Sequence, residues 1–540
     1  MTQLPPDFVE IYDTTLRDGT QREGLTLSLA DKIRIAKRLD AFGVSYIEGG
    51  WPGSNPKDVG FFEQARDIDW KHAAIAAFGS TRRAGIHAED DVQLKKLIES
   101  GAPVCTLFGK TWTLHVTEIL RTTLETNLEM IRDSIGFVVS EKRRAIYDAE
   151  HFFDGYKADP DYAIETLRVA HAAGAEVLVL CDTNGGSMPW EVDEIVRAVR
   201  AALPDARLGV HPHDDGGCGV ANALAAVRAG ATHVQGTING YGERCGNANL
   251  CTIIPDVELK LNKRCLPEGK LAELYELSHF VAEVANLPAN EHAPYVGRSA
   301  FAHKGGVHVA AIRRVADSYQ HVDPELVGNE CRVVVSELSG RGNVQSKAEE
   351  LGLAVSASES ARIVERIKQR EAEGFAYEAA EASFSLLVAR EAEGYVAPFQ
   401  VLDYQATVGR RNGSDAFVEA TIRVVANGEE SHTAGSGNGP VSALDRALRK
   451  ALLPHFPEVA RFHLVDYKVR ILDGQNGTAS TTRVLIDMQA GEHTWSVVGA
   501  SSNIIEASLI ALVDGIEYGL RVDELSAPPK TQEKAEATAE

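Results

Sequence analysis

Val177-Leu178-Val179-Leu180-Cys181 and Arg207-Leu208-Gly209-Val210-His211 are short β-rich runs that begin thirty residues apart, and the segment between them has the length and period of a helix. Polar residues follow each run at once, Asp182-Thr183-Asn184-Gly185-Gly186 in the first case and Pro212-His213-Asp214-Asp215 in the second. This is the pattern of parallel strands joined by a crossover helix. Working outward, the same alternation continues through Val9–Tyr12, Tyr46–Glu48, His72–Phe78, Val104–Phe108, Arg144–Ala149 and His233–Gly236, making eight runs between Val9 and about Leu261. In the first helical segment Leu29, Ile33, Ala36 and Leu39 recur at helical spacing behind Ser28, and Asp31 completes a capping box. Eight β/α units in this length predict an α/β fold, a TIM (β/α)8 barrel, with an open doubly wound sheet as the competing arrangement.

The chain of 540 residues is longer than one core usually serves. We assign residues 1–275 to the barrel. Residues 276–393 form a connector: a helix over Leu271–Ala285 leads in, Pro288–Gly306 is irregular and rich in Pro, Gly and His, and Ala348–Glu393 is helical and charged. Residues 394–525 turn β-rich and repeat themselves. Asp403-Tyr404 is echoed by Asp466-Tyr467, and Gly435, Ala443, Ala447 and Leu448 by Gly499, Ala507, Ala511 and Leu512, at offsets of 63 and 64. Each copy reads β-β-β-α, an α+β unit of ligand-binding or dimerising type. Residues 526–540 lack large apolar side chains and are expected to be a disordered tail.

A net charge of −22 repels phosphate backbones and anionic lipid heads, which excludes nucleic acid and membrane surfaces as partners. No signal-like segment or long uncharged apolar run occurs, since Ile504–Leu520 is interrupted by Glu506 and Asp514, so a cytoplasmic location is expected. Seven cysteines without a C-x-x-C pair read as reduced thiols, with Cys105 and Cys181 packed in apolar runs.

In such barrels ligands gather at the C-terminal ends of the strands. The first strand leads into Asp13-Thr14-Thr15-Leu16-Arg17-Asp18-Gly19-Thr20-Gln21, a fixed cation beside a carboxylate. In extended chain, residues i and i+2 share a side, so His211 and His213 present two imidazoles together, and Asp18 can add an oxygen from across the mouth. Such a set leaves coordination positions open, as a catalytic metal site requires, with Asp214 or Asp215 orienting an imidazole. Two surface histidines at that spacing by coincidence are the alternative. Gly240-Tyr241-Gly242-Glu243-Arg244-Cys245-Gly246-Asn247-Ala248 is either a loop that closes over a ligand, Asn247 adding an amide oxygen, or the turn before a helix. Glu48, Asp148, Glu150 and Thr183 supply polar groups at the same rim, and Asp182 is a helix cap or a functional group.

Together these motifs, with Ala300–Val309 and the duplicated region, resemble the family of barrel lyases and Claisen-type synthases that includes isopropylmalate, homocitrate and citramalate synthases. Gly49-Gly50-Trp51-Pro52-Gly53-Ser54-Asn55-Pro56-Lys57-Asp58 and Tyr147-Asp148-Ala149-Glu150-His151-Phe152-Phe153-Asp154-Gly155 are most similar to the longer bacterial citramalate synthases. The resemblance implies that Asp18, His211, His213 and Asn247 hold a divalent ion (Mg2+, Mn2+ or Zn2+). It implies that Arg17 stabilises charge on the acceptor carbonyl oxygen, that Thr183 binds its carboxylate, and that Glu48 and Tyr147 line the substrate. It places the catalytic histidine at His308, with His303 the alternative register and Tyr319 and Glu150 as companions. The implied reaction is acyl transfer: acetyl-CoA, pyruvate and water give (R)-citramalate and CoA, the first step of a pyruvate-derived route to isoleucine. The duplicated region is then an allosteric domain taking isoleucine, with Gly435–Gly439 and Gly499–Asn503 as candidate contacts, in a homodimer. A synthase for another 2-oxo acid such as 2-oxoisovalerate, and a CoA-thioester lyase or aldolase, are the rival readings.

Overall fold

Along the eight strands, side chains alternate between the barrel interior and the helices outside. In a computed structural model that describes residues 5, 7–410, 416–473, 477 and 479–522, β1 (Glu10–Asp13), β2 (Tyr46–Gly50), β3 (Ala74–Ser80), β4 (Val104–Lys110), β5 (Arg144–Glu150), β6 (Val177–Asp182), β7 (Leu208–Pro212) and β8 (His233–Gly236) form a closed parallel barrel in sequence order. β8 pairs with β1, Glu10 opposite His233 and Asp13 opposite Gly236, so the barrel closes and the open sheet is excluded. The expected tail, 526–540, lies outside the described residues.

Tyr12, Tyr46, Ala76, Val104, Ile146, Val177, Val179 and Cys181 pack together inside the barrel. Their strand neighbours Ile11, Ile47, Ala77, Cys105, Tyr147 and Leu178 belong to the larger core between strands and helices. This parity corrects one assignment. Tyr147 points out of the barrel and is wholly buried in that core, and its neighbour Asp148 takes the inward position. Tyr147 is a packing residue, not a substrate contact. Burial pushes the Cys105 thiol up to about 12, in keeping with an inert core cysteine. Helix Leu29–Phe42 starts as its sequence demands: Ser28 Oγ accepts from the Asp31 amide at 3.2 Å and Asp31 accepts from the Ser28 amide at 3.0 Å.

The chain divides into two compact units, Met1–Phe301 with Gln320–Cys331, and Ala302–Tyr319 with Arg332–Glu540. In the second, Ala302–His303 pairs in parallel with Arg332–Val333, and helices Arg341–Glu350, Ala357–Ala372 and Glu381–Glu391 follow. Then come two antiparallel sheets, Phe399–Arg410, Ala416–Ala426 and Glu429–Ser436, and His463–Ile471, Thr482–Ala490 and His493–Ser501. Helices Pro440–Leu452 and Ile504–Arg521 close the two repeats. The duplication extends to irregularities: each first strand shifts register one residue before its Asp-Tyr pair, between Val401 and Asp403 and between Leu464 and Asp466. Among the described residues those two strands are paired on one side only, and they leave Val408 60% and Ile471 59% exposed. The apolar stretch from Ile504 is a helix whose buried Asp514 and Glu517 both pair with Arg390 at 2.7 Å. Among the described residues no helix is long and apolar enough to cross a membrane.

Gly435 and Gly499 have the same reason to be glycine. A Cβ on Gly435 would stand 2.7 Å from the Ala443 carbonyl oxygen and the Ala447 amide, and one on Gly499 would meet the Ala507 carbonyl and the Ala511 amide, the equivalent atoms of the second copy. The last strand and the helix of each repeat touch backbone to backbone at these positions. Gly499→Ala and Gly435→Ala are therefore each expected to destabilise the chain by about 1–3 kcal/mol, read as a lower denaturation midpoint. Gly342→Ala, where nothing lies within 4 Å of the added carbon in a helix, should be neutral or stabilising. Equal midpoints for the Gly499 variant and the parent would refute the contact.

Candidate metal centre

Glu48 projects from β2 into the barrel and is fully buried. Its Oε1 accepts from Tyr12 Oη at 2.6 Å, and its Oε2 accepts from Thr14 Oγ1 at 2.5 Å and Arg17 Nε at 2.6 Å. Both oxygens are thus engaged, and Glu48 is the anchor of Arg17. Arg17 Nη1 donates to Asp18 Oδ2 at 3.0 Å, and its guanidinium carbon lies 3.7 Å from the Phe78 ring centroid. Burial opposes the charge on Arg17, but Glu48 and Asp18 outweigh it and raise its pKa. Burial also opposes the charge on Asp18, yet Arg17 and the two imidazoles hold its carboxyl well below the usual range.

His211 and His213 leave the end of β7 on one side, ring centroids 5.3 Å apart, as the strand period requires. His211 Nε2 lies 3.4 Å from Asp18 Oδ2, and the ligand atoms of Asp18, His211 and His213, all buried, lie within 4.8 Å of one another. His211 Nδ1 is 2.7 Å from Gln235 Oε1, and Gln235 Nε2 donates to Asp148 Oδ1 at 3.0 Å. An amide oxygen only accepts, so Nδ1 carries the proton and Nε2 is turned towards Asp18. Burial pushes the Asp148 carboxyl up to about 7.

The orienting group is therefore Gln235, on β8, and neither Asp214 nor Asp215. Asp214 Oδ1 accepts from the Gly219 amide at 2.7 Å at the start of helix Gly219–Ala229. Asp215 makes a two-pronged pair with Arg244 at 2.7 and 2.9 Å. A glutamine inside a β-rich run gives little warning in sequence; the available signal was its inward parity with His233 on a strand next to β7.

Burial lowers the pKa of His213 to about 4, which keeps it in the neutral, ligating form. His213 pairs through its backbone with Asn247, whose Nδ2 donates to the Tyr241 carbonyl at 3.2 Å. Asp18 Oδ1, His213 Nδ1 and Asn247 Oδ1 are buried without a hydrogen-bond partner among the described residues. Unpartnered buried acceptors beside two imidazoles and a carboxylate fit a divalent cation, and the surface-coincidence alternative fails because both histidines are buried. The 240–248 loop is docked: the Asp214 amide donates to Gly246 and the Ala248 amide to Pro212, at 3.0 and 2.9 Å.

Thr183 Oγ1 accepts from the His151 amide at 2.9 Å, which leaves its own proton to donate. Asp182 shapes the turn after β6, accepting from Ser187 N and Oγ at 3.1 and 3.0 Å, and does not cap helix Pro189–Ala202. Glu150 pairs with Lys110. In the second unit, His308 on helix Gly306–Ile312 stacks on Tyr319 at 4.2 Å, while His303 Nε2 is buried without a partner and burial, then His308, lower its pKa.

Three family models match the chain: HMGL-like over residues 8–281, a homocitrate synthase post-HMGL domain-like region over 295–374, and a LeuA allosteric (dimerisation) domain over 378–520. Curated (R)-citramalate synthases are similar along almost their whole length. That of Streptomyces coelicolor is 53% identical over 95% of this chain and 97% of its own. Those of Synechocystis and Geobacter sulfurreducens are 53% identical over 95% and 96%, and 52% identical over 96% and 98%.

If Gln235 fixes the His211 tautomer, Gln235→Leu should weaken Mn2+ binding about 10–100-fold, measured by titration of free Mn2+ with paramagnetic resonance. Asp214→Asn, which keeps an oxygen on the Gly219 amide, should leave that affinity unchanged. An unaltered Mn2+ affinity in Gln235→Leu would show that another group orients the ring.

Proposed function

This chain belongs to the HMGL-like family and aligns over nearly its full length with (R)-citramalate synthases, and from that premise we propose that it is an acyltransferase condensing acetyl-CoA with pyruvate and water to (R)-citramalate and CoA. The observation that carries the reading is the Arg17 guanidinium fixed beside the Asp18, His211 and His213 cluster.

The reaction needs an acceptor carbonyl made electrophilic and a proton taken from the acetyl methyl group. Asp18, His211, His213 and Asn247 would hold a divalent ion, taken to be Mg2+, Mn2+ or Zn2+, which would supply Lewis-acid polarisation of the carbonyl when bound. Arg17, pinned by Glu48, donates to the oxygen on which negative charge develops. Thr183 donates its free hydroxyl proton to the pyruvate carboxylate. His308, with Tyr319 stacked on its ring, is the base we assign to the methyl proton, and Glu150 is a further candidate acceptor for it. The methyl carbon then bonds to C2 of pyruvate, water cleaves the thioester, and CoA leaves as the thiol. The match to a LeuA allosteric (dimerisation) domain supports a homodimer, and we assign isoleucine as its effector, at the head of a pyruvate-derived route to that amino acid in the cytoplasm.

Thiol release from acetyl-CoA tests the reading. Pyruvate should be preferred over 2-oxobutyrate, 2-oxoisovalerate, 2-oxoglutarate and glyoxylate, chelation should abolish turnover, and added Mn2+ should restore it. Arg17→Lys, which loses the forked donor, should lower kcat about 10²–10³-fold. Absence of thiol release with every acceptor would overturn the proposal, and preference for a larger acid would keep the chemistry and change the product. Isoleucine should slow the intact enzyme, and an unchanged rate would remove the effector assignment.

A further inference from the structure

The acyl transfer asks for a second proton acceptor. Once His308 has taken the methyl proton it is charged, and the water that cleaves the thioester must give its own proton to another group. Glu150 is held in an ion pair with Lys110. The next residue, His151, stands between β5 and helix Phe152–Ala158 in left-handed backbone, φ 56° and ψ 34°, a conformation that costs free energy in a residue other than glycine. Its amide donates to Thr183 Oγ1 at 2.9 Å, the hydroxyl proposed to hold the acceptor's carboxylate. His151 therefore belongs to the rim of the mouth, a single hydrogen bond from the group that anchors the substrate.

The ring is arranged as a base. His151 Nδ1 lies 3.4 Å from Asp154 Oδ2, and the same oxygen accepts from Asn184 Nδ2 at 3.0 Å. A carboxylate only accepts, so this contact puts the imidazole proton on Nδ1 and leaves the Nε2 lone pair to take another. His115 packs against the ring, centroids 4.2 Å apart, and stacks in turn on Trp112 at 5.2 Å. Burial, and then the neighbouring His151, lower the pKa of His115, which keeps it a neutral partner. Trp112 and His115 follow β4, Asp154 follows β5 and Asn184 follows β6, so three loops at the ligand-binding end of the barrel converge on one imidazole. A carboxylate that orients an imidazole is the pairing that activates a hydroxyl or a water, and the steps above make no use of it.

We propose that His151, oriented by Asp154, is the general base of the hydrolytic half of the reaction. The proposal rests on the acyl-transfer reading above. Nε2 takes a proton from water as the water oxygen bonds to the thioester carbonyl carbon. The carbon–sulfur bond then breaks, the CoA thiolate takes the proton back from the imidazolium, and the new carboxylic acid ionises to solvent. Asp154 stabilises the imidazolium through the proton on Nδ1 and gives up none of its own. Carbon–carbon bond formation at Arg17 and hydrolysis at the β4–β6 rim are thus served by different side chains of one mouth.

The test is the fate of supplied (R)-citramalyl-CoA, which the intact enzyme can hydrolyse to citramalate and CoA or cleave back to pyruvate and acetyl-CoA. The ratio of the two rates does not depend on how much of a variant is active. His151→Asn, a side chain that tolerates left-handed backbone, should lower the ratio of hydrolysis to back-cleavage about 10²–10⁴-fold. Asp154→Asn, which keeps an acceptor for Asn184, should lower it less, and it decides the matter if His151→Asn does not fold. A ratio equal to the parent's would reduce His151 to a packing residue, and a loss of back-cleavage alone would move it to the carbon–carbon step; either overturns the proposal. So does a parent that releases thiol from acetyl-CoA and pyruvate yet leaves citramalyl-CoA intact. No thiol release from acetyl-CoA with any acceptor would instead refute the acyl-transfer reading itself.

Discussion

A carboxylate sealed inside a barrel persists only with a cation beside it. Glu48 is that carboxylate and Arg17 the cation, and the rest of the mouth is arranged around their pairing. Tyr12 and Thr14 take further lone pairs, so the loop after β1 is drawn down onto β2. With one edge on Glu48, Arg17 has its other edge on Asp18 and a face on Phe78. Asp18 then reaches the two imidazoles of β7. Charges alternate in sign from the barrel axis to the rim, and the Phe78 ring is tied to the same line. Removing the Glu48 charge would leave Asp18 as the counter-ion of Arg17, in competition with its use as a ligand.

Most of this arrangement was legible because it follows from periodicity. Eight apolar runs give eight strands, seven of them ending one or two residues further on, since polar residues such as Asp13, Glu150 and Asp182 complete the strands without looking like strand residues. His211, His213 and Asp18 are legible by their position at strand ends, and the fold brings the three together, buried. Parity turns Tyr147 outward, which its segment does not reveal, and sequence does not show that Tyr12, Thr14 and Arg17 converge on Glu48. Gln235 went unseen because a neutral amide within a strand announces nothing until the ring it touches is known.

The duplicated region shows the same limit from the other side. Gly435 and Gly499 stood out as a repeated pair and suggested ligand contact, yet each is required where a helix backbone approaches a strand. A glycine that admits a ligand and a glycine that admits a neighbouring main chain are identical in sequence. What distinguishes them is the occupant of the missing Cβ position, and that is visible only in three dimensions.

Among the described residues, the outer strands Phe399–Arg410 and His463–Ile471 each leave one row of backbone donors and acceptors without a strand partner and carry exposed Val408 and Ile471. Open edges of this length are templates for association. If a second copy of the chain covers them, the folded state gains stability by mass action, and the melting temperature ceases to be a constant of the molecule. It becomes a function of how concentrated the protein is: a dilute sample would unfold at lower temperature than a crowded one with every intramolecular contact unchanged.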